Sequence, residues 1–160
     1  MTIALEHPVG TTDPAALVDP KVTDRLARRV TTDHPEISEA TARRIVGQAA
    51  AFIAASGRFP GQSLSPSRLV DYGWHAFILH TVDYARFCER TVGSFVHHIP
   101  NDEGEETPGA TRATRATRER TLAAITAAGY AVDEELWPDM ADCTQCHAGC
   151  SDSPNSGKGK

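Results

Sequence analysis

The chain has 160 residues, 40% of them hydrophobic and 23% charged, and a formal net charge of −5. That length suits one domain that buries roughly two-thirds of its unfolded surface without disulfide staples. The acidic balance argues against nucleic acid or an anionic membrane surface as partner, and no apolar run is long enough to span a bilayer.

The opening Met-Thr-Ile-Ala-Leu-Glu-His-Pro lacks the basic and apolar regions of a secretory signal. The expected compartment is therefore cytoplasmic, where cysteines stay reduced unless a metal holds them. Residues 1–18 carry Pro, Gly and Thr without periodicity and are expected to form a flexible arm. Asp19-Pro20 reads as an N-cap with proline in the first turn. Val22, Leu26 and Val30 then lay one apolar stripe along a first helix. Asp33-His34-Pro35-Glu36 has the spacing of a capping box. It predicts a second helix opening at Asp33, with Ile37, Ile45, Ala49, Phe52 and Ile53 inward and Gly57 as its stop. Alanines fill the rest of that helix, so a neighbour can approach closely.

After a Gly/Pro/Ser loop, Ser65-Pro66 starts a helical pattern that continues to Thr91. Its apolar residues (Leu69, Trp74, Phe77, Ile78, Leu79, Val82, Phe87) fall all around the wheel, which predicts the central, buried helix. Gly93 ends it. An acidic loop, 101–109, precedes a helix in which Ala-Thr-Arg occurs three times. Arg112, Arg115 and Arg118 then wind slowly along one basic flank. It reads as a solvated face pairing with the acidic loop, the alternative being a docking site for a protein partner. Leu122, Ile125 and Tyr130 return to the core, Gly129 closes the helix, and Asp133 to Trp137 form a last turn stopped by Pro138. No strand pattern occurs. The expected fold is all-α, a single-domain bundle of five or six helices over residues 19–138, followed by a flexible cysteine-rich tail, 139–160.

The chemistry concentrates in Asp71-Tyr72-Gly73-Trp74-His75 and His97-His98. Polar groups set among Trp, Phe, Ile and Leu need hydrogen bonds, charges or a metal. Asp71 and His75 are four apart and share a helix face, so both can reach one ion. The third ligand would be His98 or His97. One straight helix from Asp71 to Gly93 would end about 27 Å beyond His75, and five further residues reach back at most roughly 17 Å. The site therefore requires the chain to bend near His80-Thr81, with Thr81 as a possible N-cap. Cys88, late in its helix and among apolar residues, reads as a small filler rather than a nucleophile paired with His98. Tyr84 reads as a packed ring whose hydroxyl finds a buried acceptor.

Residues 69–102 resemble the conserved block of the glycine-rich domain-containing (GRDP-like) proteins. The similarity lies in Asp71, Trp74, His75, Leu79, Tyr84, Cys88, Gly93 and His98. The family pattern has a proline where Thr81 stands, which implies the same helix break, and His98 as the inward member of the pair. Phe77 replaces the family's second histidine, so a ligand or hydrogen-bonding group is missing there, or His80 or His97 substitutes for it.

Cys143-Thr144-Gln145-Cys146-His147 spells C-x-x-C-H, the attachment motif of c-type haem. The absence of an export signal and of apolar sequence after Pro138 argues against haem. Cys143, Cys146, His147 and Cys150 suit zinc or copper instead. A modified-peptide-like tail and an idle one are the other readings. The sequence thus points to a metal-binding protein with a core site of Asp71, His75 and His98, for zinc or iron, and a possible second site in the tail. Two histidines and one carboxylate leave open coordination positions, as in zinc hydrolases and non-haem iron oxygenases, but no general base or substrate pocket fixes a reaction. The competing reading is a non-enzymatic interaction module, docking through the basic flank or the tail, in which Asp71–His75 is only a structural hydrogen bond.

Overall fold

The computed structural model describes residues 10–98 and 110–138. Five α-helices build this part of the chain: α1 (Pro20–Asp33), α2 (Glu39–Arg58), α3 (Arg68–Leu79), α4 (Thr81–Val92) and α5 (Ala110–Ala127). Short 3-10 turns lie at Pro14–Leu17 and Glu134–Leu136. Among the described residues no strand forms, only an isolated bridge between Thr12 and Tyr130. The all-α expectation holds. No helix of the described residues is long and apolar enough to cross a membrane.

α1 starts as its sequence dictates, with the Asp19 carboxylate accepting from the Lys21 N–H at 2.8 Å. It runs on to Asp33, which pairs with Arg29 one turn back at 2.7 Å. The capping box expected at Asp33 is therefore not formed. Pro35 disfavours helical geometry in the residue before it, and His34 leaves the helix at φ −132°, ψ 78°. The cap of α2 is Ser38, whose hydroxyl accepts from the Thr41 N–H at 3.2 Å.

α2 is the spine. Ala42, Ile45, Val46, Ala49, Ala50, Phe52 and Ile53 are all buried, and α1, α3, α4, α5 and the 3-10 turn at Pro14–Leu17 all pack directly on it. The central position expected for the 65–91 pattern belongs to α2 instead. The physical reason is the break at His80: it divides one all-round apolar pattern into two amphipathic helices, each with a wet face. Leu79 and Val82, on either side of the break, are exposed.

Small residues set the spacing. A Cβ added at Gly73 would lie 2.8 Å from the Ile45 side chain and 3.0 Å from both the Ala49 Cβ and the Ile45 carbonyl. α3 and α2 thus approach as closely as backbone allows. Gly57 is not the stop expected of it. α2 continues to Arg58 with Phe59 as C-cap, and Gly57 instead makes room for the Val92 side chain. The real helix-ending glycines are Gly93 and Gly129, at φ 83° and 93°. At Gly129, paired bonds from Gly129 N–H to the Thr126 carbonyl (2.9 Å) and Tyr130 N–H to the Ile125 carbonyl (3.2 Å) form a Schellman closure.

The arm expected over residues 1–18 is held down from its described start. Thr12 exchanges backbone bonds with Gly129 (2.7 Å) and Ala131 (3.0 Å), Asp13 caps the first 3-10 turn, and Pro14 is buried. At the other end Trp137 is buried, its indole N–H donating to Gln48 Oε1 at 2.9 Å while Gln48 Nε2 donates to the Ala131 carbonyl at 3.1 Å. The Ser67 hydroxyl donates to the Leu136 carbonyl at 2.6 Å, and Arg118 Nε to the Trp137 carbonyl at 2.7 Å. Arg118 of the expected basic flank is thereby turned to a structural use.

Gly73→Ala should lower the free energy of unfolding by about 1–3 kcal/mol, the usual cost of overpacking, even though alanine is the better helix former. Urea denaturation monitored by circular dichroism measures it, and a gain in stability would contradict the close approach.

Candidate metal site

The reversal that the ligand set required occurs within one residue. His80 (φ −95°, ψ 66°) is both the C-cap of α3 and the N-cap of α4. Its ring Nδ1–H donates to the Ala76 carbonyl at 2.9 Å, and its own carbonyl accepts from the Tyr84 N–H at 2.9 Å. Thr81, expected to cap α4, is its first helical residue. Along an unbroken helix Trp74 and Tyr84 would lie about 15 Å apart. Here the Trp74 indole N–H donates to the Tyr84 hydroxyl at 2.9 Å.

That hydroxyl passes the bond on, donating to the Val96 carbonyl. Phe95 rests edge-on against the Tyr84 ring, centroids 5.2 Å apart. Trp74 and Tyr84 thus tie residues 95–96 to the inside of the corner, and two residues later His98 arrives over α3. Its ring packs edge-on against Trp74 at 4.5 Å and His75 at 4.6 Å. Burial pushes the Tyr84 phenol well above its ordinary value.

Asp71, His75 and His98 each turn a ligand atom to a common point, all within 4.8 Å of one another. His98 Nε2 lies 3.1 Å from Asp71 Oδ1 and 3.0 Å from His75 Nε2, and His75 Nε2 lies 3.6 Å from Asp71 Oδ2. A tetrahedral ion with bonds of about 2.05 Å holds its ligand atoms about 3.3 Å apart, and the measured separations bracket that value. Protons satisfy this arrangement poorly. If His98 Nε2 carries hydrogen, that single hydrogen faces two acceptors, the Asp71 carboxylate and the His75 lone pair. A cation would satisfy all three groups at once. The His98 side chain is 16% exposed, Asp71 33% and His75 58%, so the cluster is walled on the Trp74 side and open on the His75 side.

The remaining sequence candidates stay out of the cluster. His97 is exposed and packs beside Phe95, and His80 serves the helix break. Phe77, where the resembling block has histidine, is buried against Tyr84 and Phe87. Neither His80 nor His97 substitutes at that position as a ligand. Cys88 is fully buried, in keeping with a filler and closed to substrate. Cys143, Cys146, His147 and Cys150 lie outside the described residues. Sequence reasoning gave Tyr84 a buried acceptor but did not identify it as the Val96 carbonyl, nor Trp74 as the donor. The only sequence signal was two polar-tipped aromatics flanking a predicted break.

A family model described as UCP032817-like matches residues 15–120. No curated protein and no solved structure matches the chain.

Tyr84→Phe leaves the Trp74 N–H and the Val96 carbonyl unpaired. It should cost about 1–3 kcal/mol and raise amide exchange at residues 95–98 more than in α2. Unchanged protection there would separate the relay from the placement of His98. The phenol also sets a pH dependence. With its folded value above the unfolded one of about 10, the folded chain keeps a proton that the unfolded chain releases. Its contribution is complete below pH about 10 and declines as pH rises beyond it. Denaturant midpoints should therefore fall more steeply above that pH in the wild type than in Tyr84→Phe.

Proposed function

This chain belongs to the UCP032817-like family, and we propose that it is a metal-binding protein whose ion sits between Asp71, His75 and His98. The observation that carries the reading is the convergence of two imidazole nitrogens and a carboxylate oxygen, brought from both sides of a chain reversal, at separations of 3.0–3.6 Å. Those three residues are also among the positions matching the glycine-rich domain-containing block. Two nitrogens and one oxygen suit a divalent first-row ion, zinc or iron. The exposed His75 side leaves the ion's remaining positions facing outward, where water or a further ligand can bind. The competing reading, a structural Asp71–His75 hydrogen bond, meets a separation of 3.6 Å, which is beyond hydrogen-bond range.

The test uses full-length chain, free of any histidine tag, with Cys143, Cys146 and Cys150 changed to serine so that only the core can respond. Calorimetric titration with Zn²⁺ should give one ion per chain. His75→Ala and His98→Ala should each weaken it by at least about 100-fold, the upper range for loss of a merely supporting partner, while circular dichroism stays helical. Absence of saturable binding, or equal affinity in both alanine variants, would refute the reading.

A further inference from the structure

We infer that the open side of this site binds a small oxyanion, with one oxygen on the ion held by Asp71, His75 and His98 and another on the Arg68 guanidinium. The inference rests on the metal-binding reading above and adds to it the chemical class of the ligand that takes the ion's outward positions.

The first observation is the order of side chains around α3. Passing round the helix from Trp74, one meets Asp71, His75, Arg68 and Tyr72 in turn, these four within an arc of about 100°. His98 and Trp74 wall the cluster on the Asp71 flank. The other flank, beyond the 58% exposed His75, belongs to Arg68 and Tyr72. A ligand reaching the ion from solvent comes in on the side that Arg68 occupies.

The second observation is how Arg68 is held. Its Cζ lies 6.0 Å from the centroid of the Tyr72 ring. That half-buried ring is stacked on His34, with centroids 3.6 Å apart and planes 16° from parallel. The guanidinium therefore rests on an aromatic platform fixed from the end of α1. Contact through the face of the cation leaves its N–H donors unused. Arg25, Arg29, Arg43 and Arg44 each bind a carboxylate. Arg68, by contrast, makes no ion pair or hydrogen bond with any described residue, and its exposed fork stands ready for a ligand.

The third observation is charge and reach. A divalent ion with two neutral imidazoles and one carboxylate keeps a single positive charge, and Arg68 adds a second. Arg68 is also the first residue of α3, at the positive end of the helix dipole. In a chain of net charge −5, this local excess of positive charge calls for an anion. With a metal–oxygen bond of about 2.1 Å and a charge-assisted hydrogen bond of about 2.8 Å, one oxyanion bridges roughly 7 Å. Along the helix axis Arg68 lies only about 4.5 Å from Asp71. The planar guanidinium matches the paired oxygens of a carboxylate or a phosphate.

The test uses the full-length chain with Cys143, Cys146 and Cys150 changed to serine, loaded with Co²⁺, whose visible absorption changes when a ligand enters its coordination shell. Inorganic phosphate and acetate are the probes. At least one should titrate saturably at one per chain, and the tighter of the two tells a phosphoryl ligand from a carboxylate. Arg68→Ala should weaken that binding about 10–100-fold and leave Co²⁺ affinity and the helical circular dichroism unchanged. Arg68→Lys should recover only part of it, since an ammonium cannot bind two oxygens in the plane of a fork. Equal anion affinity in Arg68→Ala would overturn the inference, because the ion alone would then hold the anion. Equal affinity in metal-free chain, or no spectral response to either probe, would overturn it too. In each of these cases the three-ligand core would stand, because the Zn²⁺ titration above decides it independently.

Discussion

One residue, His80, makes the geometry of this protein possible, because the reversal there brings side chains ten and more positions apart into contact. The turn itself is weakly specified by local chemistry. No side chain caps α4, and the His80 ring is spent on the last turn of α3. What fixes it is the buried interior of the corner. Phe77 packs against Tyr84 and Phe87, and the bond from Trp74 to Tyr84 can form only if the chain turns back. Tertiary burial overrides what would otherwise be a continuous helical pattern.

The same contacts explain how His98, on a segment without regular structure, is brought to Asp71 and His75 on α3. A backbone carbonyl in a loop normally seeks water. That of Val96 is taken by the Tyr84 hydroxyl, which is itself fixed by the Trp74 indole. Each group is buried or half-buried, so leaving any of them unpaired is costly. The polar relay therefore acts as a positional clamp. Ligand sites gain most from supporting groups of this kind, because ions discriminate against small errors in ligand placement.

α2 supports the arrangement from behind. Its alanines, and Gly73 facing them, let α3 sit at backbone distance, which sets the height of Asp71 and His75 above the core. Its Gln48 also receives the Trp137 indole and donates to the Ala131 carbonyl, closing the C-terminal turn onto the bundle. With Arg44 bound bidentately to Asp133 at 2.7 and 2.9 Å, the C-terminal turn is anchored to the same helix that seats α3.

Much of this was legible in the residues themselves. Periodicity and caps gave the helical class, the Asp19-Pro20 start and the glycine stops at 93 and 129, because these follow from local backbone preferences. The spacing of Asp71 and His75, joined to a length argument, required a reversal near His80, since a rod of known rise cannot bring His98 back. Local rules failed where packing competed with them. The Asp33 capping box yielded to Pro35, Gly57 turned out to be clearance for Val92 rather than a stop, and the apolar stretch around Leu79 proved to be two half-exposed helices beside a buried α2. The Trp74–Tyr84–Val96 clamp, and the choice of α3 as the helix that seats closely on the alanine face of α2, were decided by tertiary structure alone. They depend on which distant groups become neighbours once water is excluded, and no local pattern along a chain encodes that.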